Sequence, residues 1–394
     1  MNHDPIVIVG AARTPLAAFQ GEFSSLSAHA LGSIAIRAAL ERAGLVPAKI
    51  DEVFFGNVLM AGQGQAPARQ AAIHAGIPES VGAVTVAKVC GSGMQAVMFG
   101  VDSILAGTNQ AVVAGGMESM SNAPYLLTKA RNGYRVGHDR LFDHMMLDGL
   151  EDAYEAGRAM GDFGEQCADK YGFTRSQQDE FAMASVSRAQ AAAANGAFDW
   201  EIAPVTLQSR AGNAVIDRDE RPQKLKVDKI PTLKPAFRDN GTITAASSSG
   251  NADGAAALVQ MRESMARQLG LQPIARILGH ARHSQAPAWF TTAPVGAIAK
   301  LYDKVGWKTE DVDLFEINEA FAAVPMAAMQ EHRIPHGKVN IHGGACALGH
   351  PIGASGARII VTLLGALRAT GGKRGVAALC IGGGEATAIA IERL

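Results

Sequence analysis

Short apolar runs alternate with amphipathic stretches in the first part of the chain. Residues 6–9 form a fully apolar, β-branched run that ends at Gly10, and residues 31–42 follow the spacing of an amphipathic helix that stops at Gly44. Residues 50–57 form a second strand pattern that runs into a glycine turn. Because strands that alternate with helices usually pair in parallel, the pattern predicts an α/β fold with a mixed, mainly parallel sheet covered by helices on both faces.

The second half of the chain repeats this order of elements. Residues 274–279 resemble the first strand, and residues 299–318 match residues 36–57. Residues 376–381, the last predicted strand, lead into three glycines much as residues 110–114 lead into two. Two copies of one α/β unit, packed about a pseudo-twofold axis, are the most economical account. The matched positions include Gly44 with Gly306 and Asp51 with Asp313.

The stretch between the two copies breaks the pattern. We interpret residues 121–245 as an inserted lobe between an N-terminal half, residues 1–120 with 246–270, and a C-terminal half, residues 271–394. Within the lobe, residues 217–238 are rich in Lys, Arg, Asp and Pro. Most of these charges are typical of a solvated surface, but the basic ones could also bind a phosphorylated ligand. The basic candidates are Arg218, Arg221, Lys224, Lys226 and Lys229.

Composition and charge narrow the functional classes. The 394-residue chain is 48% hydrophobic, contains 44 glycines and has a net charge of −1, which favours neither a nucleic-acid nor a membrane partner. No apolar run is long enough to span a bilayer, and the first residues lack the pattern of a signal peptide. The cysteines have neither zinc-site spacing nor the density of a disulfide framework, so we expect a cytoplasmic protein with free thiols. They are Cys90, Cys167, Cys346 and Cys380.

One cysteine lies where an apolar strand turns into a helix. Cys90 follows the β-branched run from Val84 and precedes Gly91 and Gly93. A thiol at a helix N-terminus has a lowered pKa, and the glycines could leave N–H groups free to bind an oxyanion. From this window alone, a buried structural cysteine and a catalytic nucleophile are equally supported.

The corresponding turn of the second copy contains a histidine. His350 is held between glycine and proline, and the pseudo-twofold arrangement would bring it to Cys90 as a base. Cys380 ends a buried strand and is either core packing or a second acid and base. Asn318 is either a turn cap or a group that orients a water or donates to an oxyanion.

A zinc site is an alternative use of the same turn. His342, Cys346 and His350 are spaced by four residues and would share one face of a helix. The glycines and the proline between them make such a helix improbable. We therefore expect no metal, with His342 and Cys346 in supporting or packing positions.

Taken together, the motifs resemble the thiolase family, in its acetyl-CoA acetyltransferase and β-ketothiolase group. The similarity covers essentially the whole chain, and the motifs occur in the family's order. They are G-A-A-R-T-P near residue 10, V-C-G-S-G-M at Cys90, G-G-M-E-S-M-S-N-A-P-Y from Gly115, N-E-A-F at Asn318, G-G-A-C-A-L-G-H-P-I-G-A-S-G-A-R from Gly343, and C-I-G-G-G at Cys380.

The resemblance implies a role for each of these residues. Cys90 would carry the acyl group after activation by His350, and Cys380 would move the α-proton of acetyl-CoA. His350 and a water held by Asn318 would stabilise the enolate, while the N–H groups of Cys90 and Gly382 would bind the acyl-transfer oxyanion. The implied reaction is the reversible condensation of two acetyl-CoA molecules or the thiolysis of a 3-ketoacyl-CoA.

The resemblance also implies how substrate is held. Ser249 and Met160 would contact the pantetheine of CoA, and Ala320 and Phe321 would line its slot. CoA and acyl-CoA would be substrates, with no permanently bound cofactor, and the protein would form a homo-oligomer, expected to be a tetramer.

Three departures from the family pattern concern the substrate rather than the chemistry. Ala159 stands where short-chain thiolases often have histidine, residues 246–250 read A-S-S-S-G in place of G-N-A-S-G, and Glu385 follows the glycines where Met or Gln is familiar. They leave open a thiolase for longer 3-ketoacyl chains. Further alternatives are a ketoacyl-synthase-like condensing enzyme, which would pair the cysteine with two histidines or with histidine and asparagine, and a silent acyl-CoA carrier.

Overall fold

The computed structural model describes residues 4–209 and 212–394. Fourteen strands are present in this part of the chain, and ten of them form one sheet. The strands are β1 Ile6–Arg13, β2 Ala17–Ala18, β3 Glu52–Gly56, β4 Gly82–Val86, β5 Ala111–Ser119, β6 Tyr125–Leu126, β7 Phe142–Asp143, β8 Val205–Ser209, β9 Gly212–Ile216, β10 Ala252–Arg262, β11 Ala275–Ser284, β12 Leu314–Ile317, β13 Arg374–Ile381 and β14 Glu385–Arg393.

Helices cover and separate the strands. The α-helices are α1 Ala28–Ala43, α2 Pro67–His74, α3 Ser92–Leu105, α4 Met160–Tyr171, α5 Arg175–Ala194, α6 Glu220–Lys224, α7 Glu263–Gln268, α8 Ala293–Val305, α9 Ala323–His332, α10 Ala345–Leu348 and α11 Ser355–Thr370. Short 3₁₀ segments are Pro47–Lys49, Met120–Asn122, Val227–Thr232, Pro287–Thr292, Thr309–Asp311 and His336–Lys338, and Met146–Leu150 is a π-helical turn.

The main sheet is symmetric about its centre. Its strand order is β12-β13-β14-β11-β1-β10-β5-β3-β4, with β2 paired to β10. The first strands of the two copies, β1 and β11, pair antiparallel in the middle, so the two halves join edge to edge. From this centre outwards, β1-β10-β5-β3 in one half corresponds to β11-β14-β13-β12 in the other, which confirms the predicted duplication.

The mixed sheet is as predicted, but the balance of pairing needs correction. Parallel pairing is confined to the outer strands, where β3 pairs with β4 and β5, and β12 with β13. The central pairs are antiparallel, since β10 runs opposite to both β1 and β5, and β14 runs opposite to both β11 and β13. The glycines between β13 and β14 make a tight turn, which can join only antiparallel neighbours.

Equivalent glycines mark the first strand of each copy. Both β1 and β11 carry an irregularity in register just before Gly10 and Gly279. A Cβ on Gly10 would lie 2.2 Å from the carbonyl oxygen of Ala39 in α1, and one on Gly279 would lie 2.8 Å from Val305 in α8. The absence of a side chain therefore lets the first helix of each copy cross its strand closely.

The matched aspartates, Asp51 and Asp313, make equivalent hydrogen bonds in the two copies. Asp51 accepts hydrogen bonds from the N–H groups of Gln110 and Ala111 at 2.7 and 3.0 Å. Asp313 accepts from residues 373 and 374 at 2.8 and 2.9 Å. Each carboxylate thus satisfies two donors at the start of a neighbouring strand, and such bonds each contribute on the order of 1 kcal/mol.

Two helices form the layer between the halves. In α11, every residue from 355 to 367 is buried, and in α3 the segment 92–98 is buried. A helix that is buried all round needs small or apolar residues on every face, as the alanine- and glycine-rich sequence provides. Because α3 and α11 contact each other and strands of both halves, the two catalytic candidates at their N-terminal ends are brought together.

The segment between β5 and β10 packs as a separate cluster over one side of this core. Its helix α5 contacts α10 beside the His350 turn, and α4 contacts α9. Within the described residues, no helix has the length and apolar character needed to cross a membrane.

Candidate active site

The Cys90 turn is held by a serine and contains a strained residue. The Ser92 hydroxyl donates to the carbonyl of Val89 at 2.7 Å and accepts from the N–H of Lys88 at 2.8 Å. Val89 has a φ of 44°, which is unfavourable for a β-branched side chain. Strain of this kind persists where the surrounding structure enforces it, and here it directs the next residue, Cys90.

The His350 turn is fixed from the opposite side. The N–H of His350 donates to the carbonyl of Gly250 at 2.8 Å. Gly349 has a φ of 102°, and a Cβ there would lie 2.6 Å from the Cβ of Ala252. The sequence analysis expects no helix in this segment, but residues 345–348 form one helical turn between two glycines.

The two turns meet through glycines at the centre of the molecule. A Cβ on Gly93 would lie 2.9 Å from the N atom of Ala357, and one on Gly356 would lie 2.4 Å from the N atom of Met94. The backbones of α3 and α11 therefore approach at a distance that only glycine permits. This contact holds the N-terminal ends of α3 and α11 together, beside the turns that carry Cys90 and His350.

The imidazole of His350 is buried and has a contact at each nitrogen. Nδ1 lies 2.6 Å from the Ser355 hydroxyl, and Nε2 lies 3.5 Å from Nδ2 of Asn318. Burial, reinforced by the positive charge of Arg358, lowers the pKa of His350 to about 3. The ring is therefore neutral near pH 7 and has one nitrogen available as a base.

Asn318 follows directly after β12. Its N–H donates to the carbonyl of Ala378, which fixes it against β13. Its side-chain Oδ1 is buried and has no hydrogen-bond partner among the described residues. A buried acceptor without a partner is costly, so this oxygen is suited to hold a water or a substrate group.

Cys380 and the glycines after it face Cys90. Cys380 is buried against an apolar cluster that includes Phe290, Phe321 and Met160. Burial and the neighbouring Cys90 raise the pKa of Cys380 well above its usual value. The N–H groups of Gly382 and of Cys90 itself lie close enough to the Cys90 sulfur to lower its pKa, and a Cβ on Gly382 would lie 3.7 Å from the side chain of Val89. The sulfur thus lies where two backbone donors converge, as an oxyanion site requires.

The acidity expected for Cys90 from its helix position is not observed. Burial raises its pKa to about 11, with a further rise from Glu118, although the N–H groups of Gly382 and Cys90 favour the thiolate. Desolvation outweighs these two donors because the partly buried Cys90 packs against apolar clusters from both halves. The thiol of the ligand-free protein therefore needs a base to lose its proton.

The glycines beside Cys90 have a different function from the one expected. The N–H of Gly91 is not free, because it donates to the carbonyl of Lys88 at 3.0 Å. A Cβ on Gly91 would lie 2.3 Å from the side chain of Ile381. Like Gly93, it serves close packing, so the expectation of a free N–H group at Gly91 is wrong.

A large cavity opens between the lobe and residues 245–251. Its volume is about 680 Å³, within the usual range of ligand pockets. Of the predicted substrate residues, Ser249 lines it, and the Ser249 N–H donates to the carbonyl of Ala320 at 2.9 Å. Met160, Ala320 and Phe321 lie instead in the apolar cluster around Cys380.

Four of the five basic candidates of the lobe line this cavity. They are Arg221, Lys224, Lys226 and Lys229. The fifth, Arg218, lines two smaller cavities outside it. The cavity therefore combines an apolar wall with a cluster of positive charges.

The three residues of the alternative zinc site have separate partners. His342 packs edge-on against Phe198, and the Cys346 sulfur lies 3.9 Å from the carbonyl oxygen of Glu319. His350 faces Ser355 and Asn318. Across residues 4–209 and 212–394, no group of three or more His, Cys, Asp or Glu side chains is arranged to hold a metal ion.

Two carboxylates at the site have contacts that the sequence does not predict. Buried Glu118 accepts from the side chain of Asn57 at 2.7 Å and from the N–H groups of Val58 and Gly353, both at 3.0 Å. It therefore ties the His350 turn to the first half. Its place in the G-G-M-E-S-M motif is the only signal the sequence offers, because the partners are distant in the chain.

The second is Glu385, which forms an ion pair with Lys88. Although burial opposes it, this pairing lowers the pKa of Glu385. Lys88 stands two residues before Cys90, and Glu385 directly follows the glycines after Cys380. The pair therefore links the nucleophile turn to the Gly382 loop across the two halves.

Comparison with known proteins identifies the family. The chain matches the thiolase N-terminal domain over residues 6–264 and the thiolase C-terminal domain over residues 271–393. It is 51% identical to acetyl-CoA acetyltransferase 2 of Arabidopsis thaliana, with 100% of this chain and 98% of that protein covered. It is 46% identical to the cytosolic acetyl-CoA acetyltransferase of Gibberella zeae, with 100% and 99% covered.

The fold agrees with these matches. A thiolase from Ascaris suum, solved in complex with coenzyme A, superposes with a TM-score of 0.93 at 42% identity. The alignment covers 99% of this chain and 100% of that structure. The chain belongs to the thiolase family.

Proposed function

We propose that this chain catalyses the reversible, CoA-dependent thiolysis of a 3-ketoacyl-CoA, with acetoacetyl-CoA as the preferred substrate. The reverse reaction condenses two acetyl-CoA molecules. The observation that supports it best is the convergence on Cys90 of the Gly382 N–H and the second thiol, Cys380. Acyl transfer needs a nucleophile and an oxyanion site, and carbon–carbon cleavage also needs an acid at the leaving carbon.

The first half-reaction forms the acyl-enzyme. Neutral His350 takes the proton of Cys90, and the sulfur attacks the keto carbon, whose oxygen is bound by the N–H groups of Cys90 and Gly382. The bond between the keto carbon and the α-carbon breaks, and the electrons move into the enolate of acetyl-CoA. Protonated His350 and a water held by Asn318 stabilise the enolate oxygen, and Cys380 gives its proton to the carbon.

The second half-reaction transfers the acyl group to CoA. The Cys380 thiolate takes the proton of the CoA thiol, and the new thiolate attacks the thioester carbonyl. The bond to the Cys90 sulfur then breaks, and His350 returns its proton to Cys90. Protons balance over the cycle with side chains alone, so CoA and acyl-CoA are substrates and no resident cofactor takes part.

Acetoacetyl-CoA with free CoA is the direct test. We expect loss of the magnesium-enolate absorbance of acetoacetyl-CoA, with kcat/KM falling as the 3-ketoacyl chain lengthens, because Phe290, Phe321 and Met160 close the space around Cys380. A kcat/KM that rises with the length of the 3-ketoacyl chain would favour the longer-chain thiolase. Turnover only with malonyl-type donors would support a ketoacyl-synthase-like enzyme, and binding without turnover would support the carrier.

We infer that CoA enters through the basic cavity of the lobe, residues 121–245. The best candidates for binding the phosphates are Arg221 and Lys226, since neither has an ion-pair partner within the described residues. By contrast, Lys224 is neutralised by Glu220 at 2.5 Å. The Arg221 guanidinium lies against Gly250, where a Cβ would be 2.2 Å from Nη1, and its buried Nε has no partner among the described atoms. Unpaired cations at a cavity wall favour a phosphorylated ligand.

Replacing these cations is expected to weaken CoA binding without slowing chemistry. Arg221→Met and Lys226→Gln should each raise the KM for CoA by about tenfold, the loss of roughly 1.4 kcal/mol, and leave kcat within twofold. Steady-state kinetics with varied CoA measures this. Arg218→Gln is the matched control, because Arg218 lies outside the cavity. An equal rise in the control would indicate a long-range charge effect instead of a contact.

Two exposed apolar surfaces support a homotetramer. The edge strand β4 presents Val84 at 44% exposure beside Phe99 at 38%, and an unpaired edge of this kind invites a second copy. The lobe presents Leu127, Val136 and Leu141, with Val136 at 98% exposure. Separate surfaces of this kind suit a pair of dimers.

We place the protein in the cytoplasm and in fatty acid metabolism, in keeping with its free thiols and its acyl-CoA chemistry.

A further inference from the structure

We propose that Ser355 is a positioning residue that holds His350 in the Nδ1–H tautomer and so leaves Nε2 free to act as the base. The inference deepens the proposed function and rests on it for its catalytic consequence. The tautomer itself is a property of the ligand-free protein and is measured independently of activity.

Three consecutive contacts define the arrangement. Ser355 is the first residue of α11 and is fully buried. Its Oγ lies 2.6 Å from Nδ1 of His350 and 3.0 Å from the carbonyl oxygen of Pro351. On the other side of the ring, Nε2 lies 3.5 Å from Nδ2 of Asn318.

The single hydroxyl proton decides which nitrogen of the imidazole is protonated. If the Ser355 hydroxyl donates to Pro351, its oxygen accepts from Nδ1–H, and both contacts are hydrogen bonds. If it donated to Nδ1 instead, two oxygens would face each other at 3.0 Å without a proton between them. The Pro351 carbonyl also accepts from the N–H groups of Ala354 and Ser355, both at 2.9 Å. The first arrangement is favoured because it places a proton in each of the two hydroxyl contacts and avoids the facing oxygens.

The Asn318 side agrees with the same proton placement. In the orientation of the Asn318 amide that places Nδ2 towards the ring, this group donates and Nε2 accepts. With Nε2 protonated, two donors would point at each other in a buried site. The chain of donors therefore runs in one direction, from Asn318 to His350, from His350 to Ser355 and from Ser355 to Pro351.

The tautomer matters because the buried ring carries only one proton. With Nδ1 protonated, Nε2 can take the proton of Cys90, and the resulting imidazolium still donates to Ser355. With Nε2 protonated, the ring has no lone pair on the Asn318 side, and the proposed first step cannot begin. Since burial raises the pKa of Cys90 to about 11, its proton must be removed by a correctly oriented base.

The kinetic test compares Ser355→Ala, which removes the hydroxyl, with Ser355→Thr, which retains one able to bond the same carbonyl in a helix. The rate of acyl-enzyme formation from acetoacetyl-CoA can be measured by quenched flow and mass spectrometry. This rate should fall about 10- to 100-fold in the alanine variant. The threonine variant should recover most of the rate, and the KM for CoA should not change. Acylation of the alanine variant within twofold of the wild type would overturn the proposal.

A matched control separates positioning from stability. Ser33 is also a buried helical serine, and its hydroxyl donates to the carbonyl of Ala30 at 2.8 Å. Ser33→Ala should lower the melting temperature about as much as Ser355→Ala but leave acylation unchanged. If both variants lost activity in parallel with stability, the positioning role would be wrong.

The tautomer is read directly from protein labelled with ¹⁵N-histidine. The resonances that disappear in His350→Asn belong to His350, and in the wild type they should show a protonated Nδ1 and an unprotonated Nε2. The alanine variant should show a mixture of tautomers. An Nε2–H pattern in the wild type would refute the inference, whereas failure to cleave acetoacetyl-CoA with the expected pattern intact would refute only the proposed function.

Discussion

Acyl-enzyme formation is expected to disappear when Cys90 is replaced by alanine. The Gly382 and Cys90 N–H groups act on the Cys90 sulfur, and the proposed reaction has no route to products without a covalent thioester. Loss of a nucleophile of this kind lowers kcat by about four orders of magnitude or more. Mass spectrometry after mixing with acetoacetyl-CoA should detect an acetylated wild type and an unmodified variant.

The remaining thiols provide the control for this experiment. Cys167 is fully buried, and its sulfur lies 3.9 Å from the carbonyl oxygen of Ala323. It is a second thiol near Cys380, since its proximity contributes to the raised pKa of Cys380. Cys167→Ala should be acetylated at the wild-type rate. An acetyl group that remained on Cys90→Ala, or that mapped to Cys167 in the wild type, would contradict the assignment of the nucleophile.

The internal repeat is the part of the fold that can be predicted most directly from the sequence. Gly44 and Gly306 end equivalent helices with φ angles of 66° and 69°, a conformation that glycine adopts without strain. The antiparallel centre was missed because β14 follows β13 after only three glycines, where the helical alternation stops. The local pattern of apolar residues predicts helices and strands, but whether a strand pairs parallel or antiparallel depends on the strands beside it.

Contacts between the halves explain what the sequence analysis could not predict at the site. Local motifs single out Cys90 and His350, and the repeat indicates that their turns correspond. The raised pKa of Cys90 could not be predicted in this way, because the residues that bury it, such as Leu59 and Ile352, are distant from it in the chain. Likewise, the Ser355 contact depends on the turn geometry around Pro351, which composition and spacing do not specify.

The second large effect is expected at Cys380. Cys380→Ala should leave the first thiol and its oxyanion site intact, so acetyl-CoA should still acetylate Cys90. Exchange of the acetyl-CoA α-protons with deuterated water should stop, because no group remains at that position to move the proton. The kcat for condensation should fall by about three orders of magnitude or more. This loss includes the usual contribution of a positioned acid–base group and the missing proton transfer at carbon.

The two thiol variants separate the halves of the mechanism. Burial and the neighbouring Cys90 raise the pKa of Cys380, which opposes a second thiolate beside the first. Acetylation of Cys90 removes that neighbouring charge, so Cys380 can ionise more readily once the acyl-enzyme has formed. Proton exchange should therefore require both an acylated Cys90 and an intact Cys380. Exchange that survived in Cys380→Ala would require another base at the α-carbon, and the two-thiol mechanism would then be wrong.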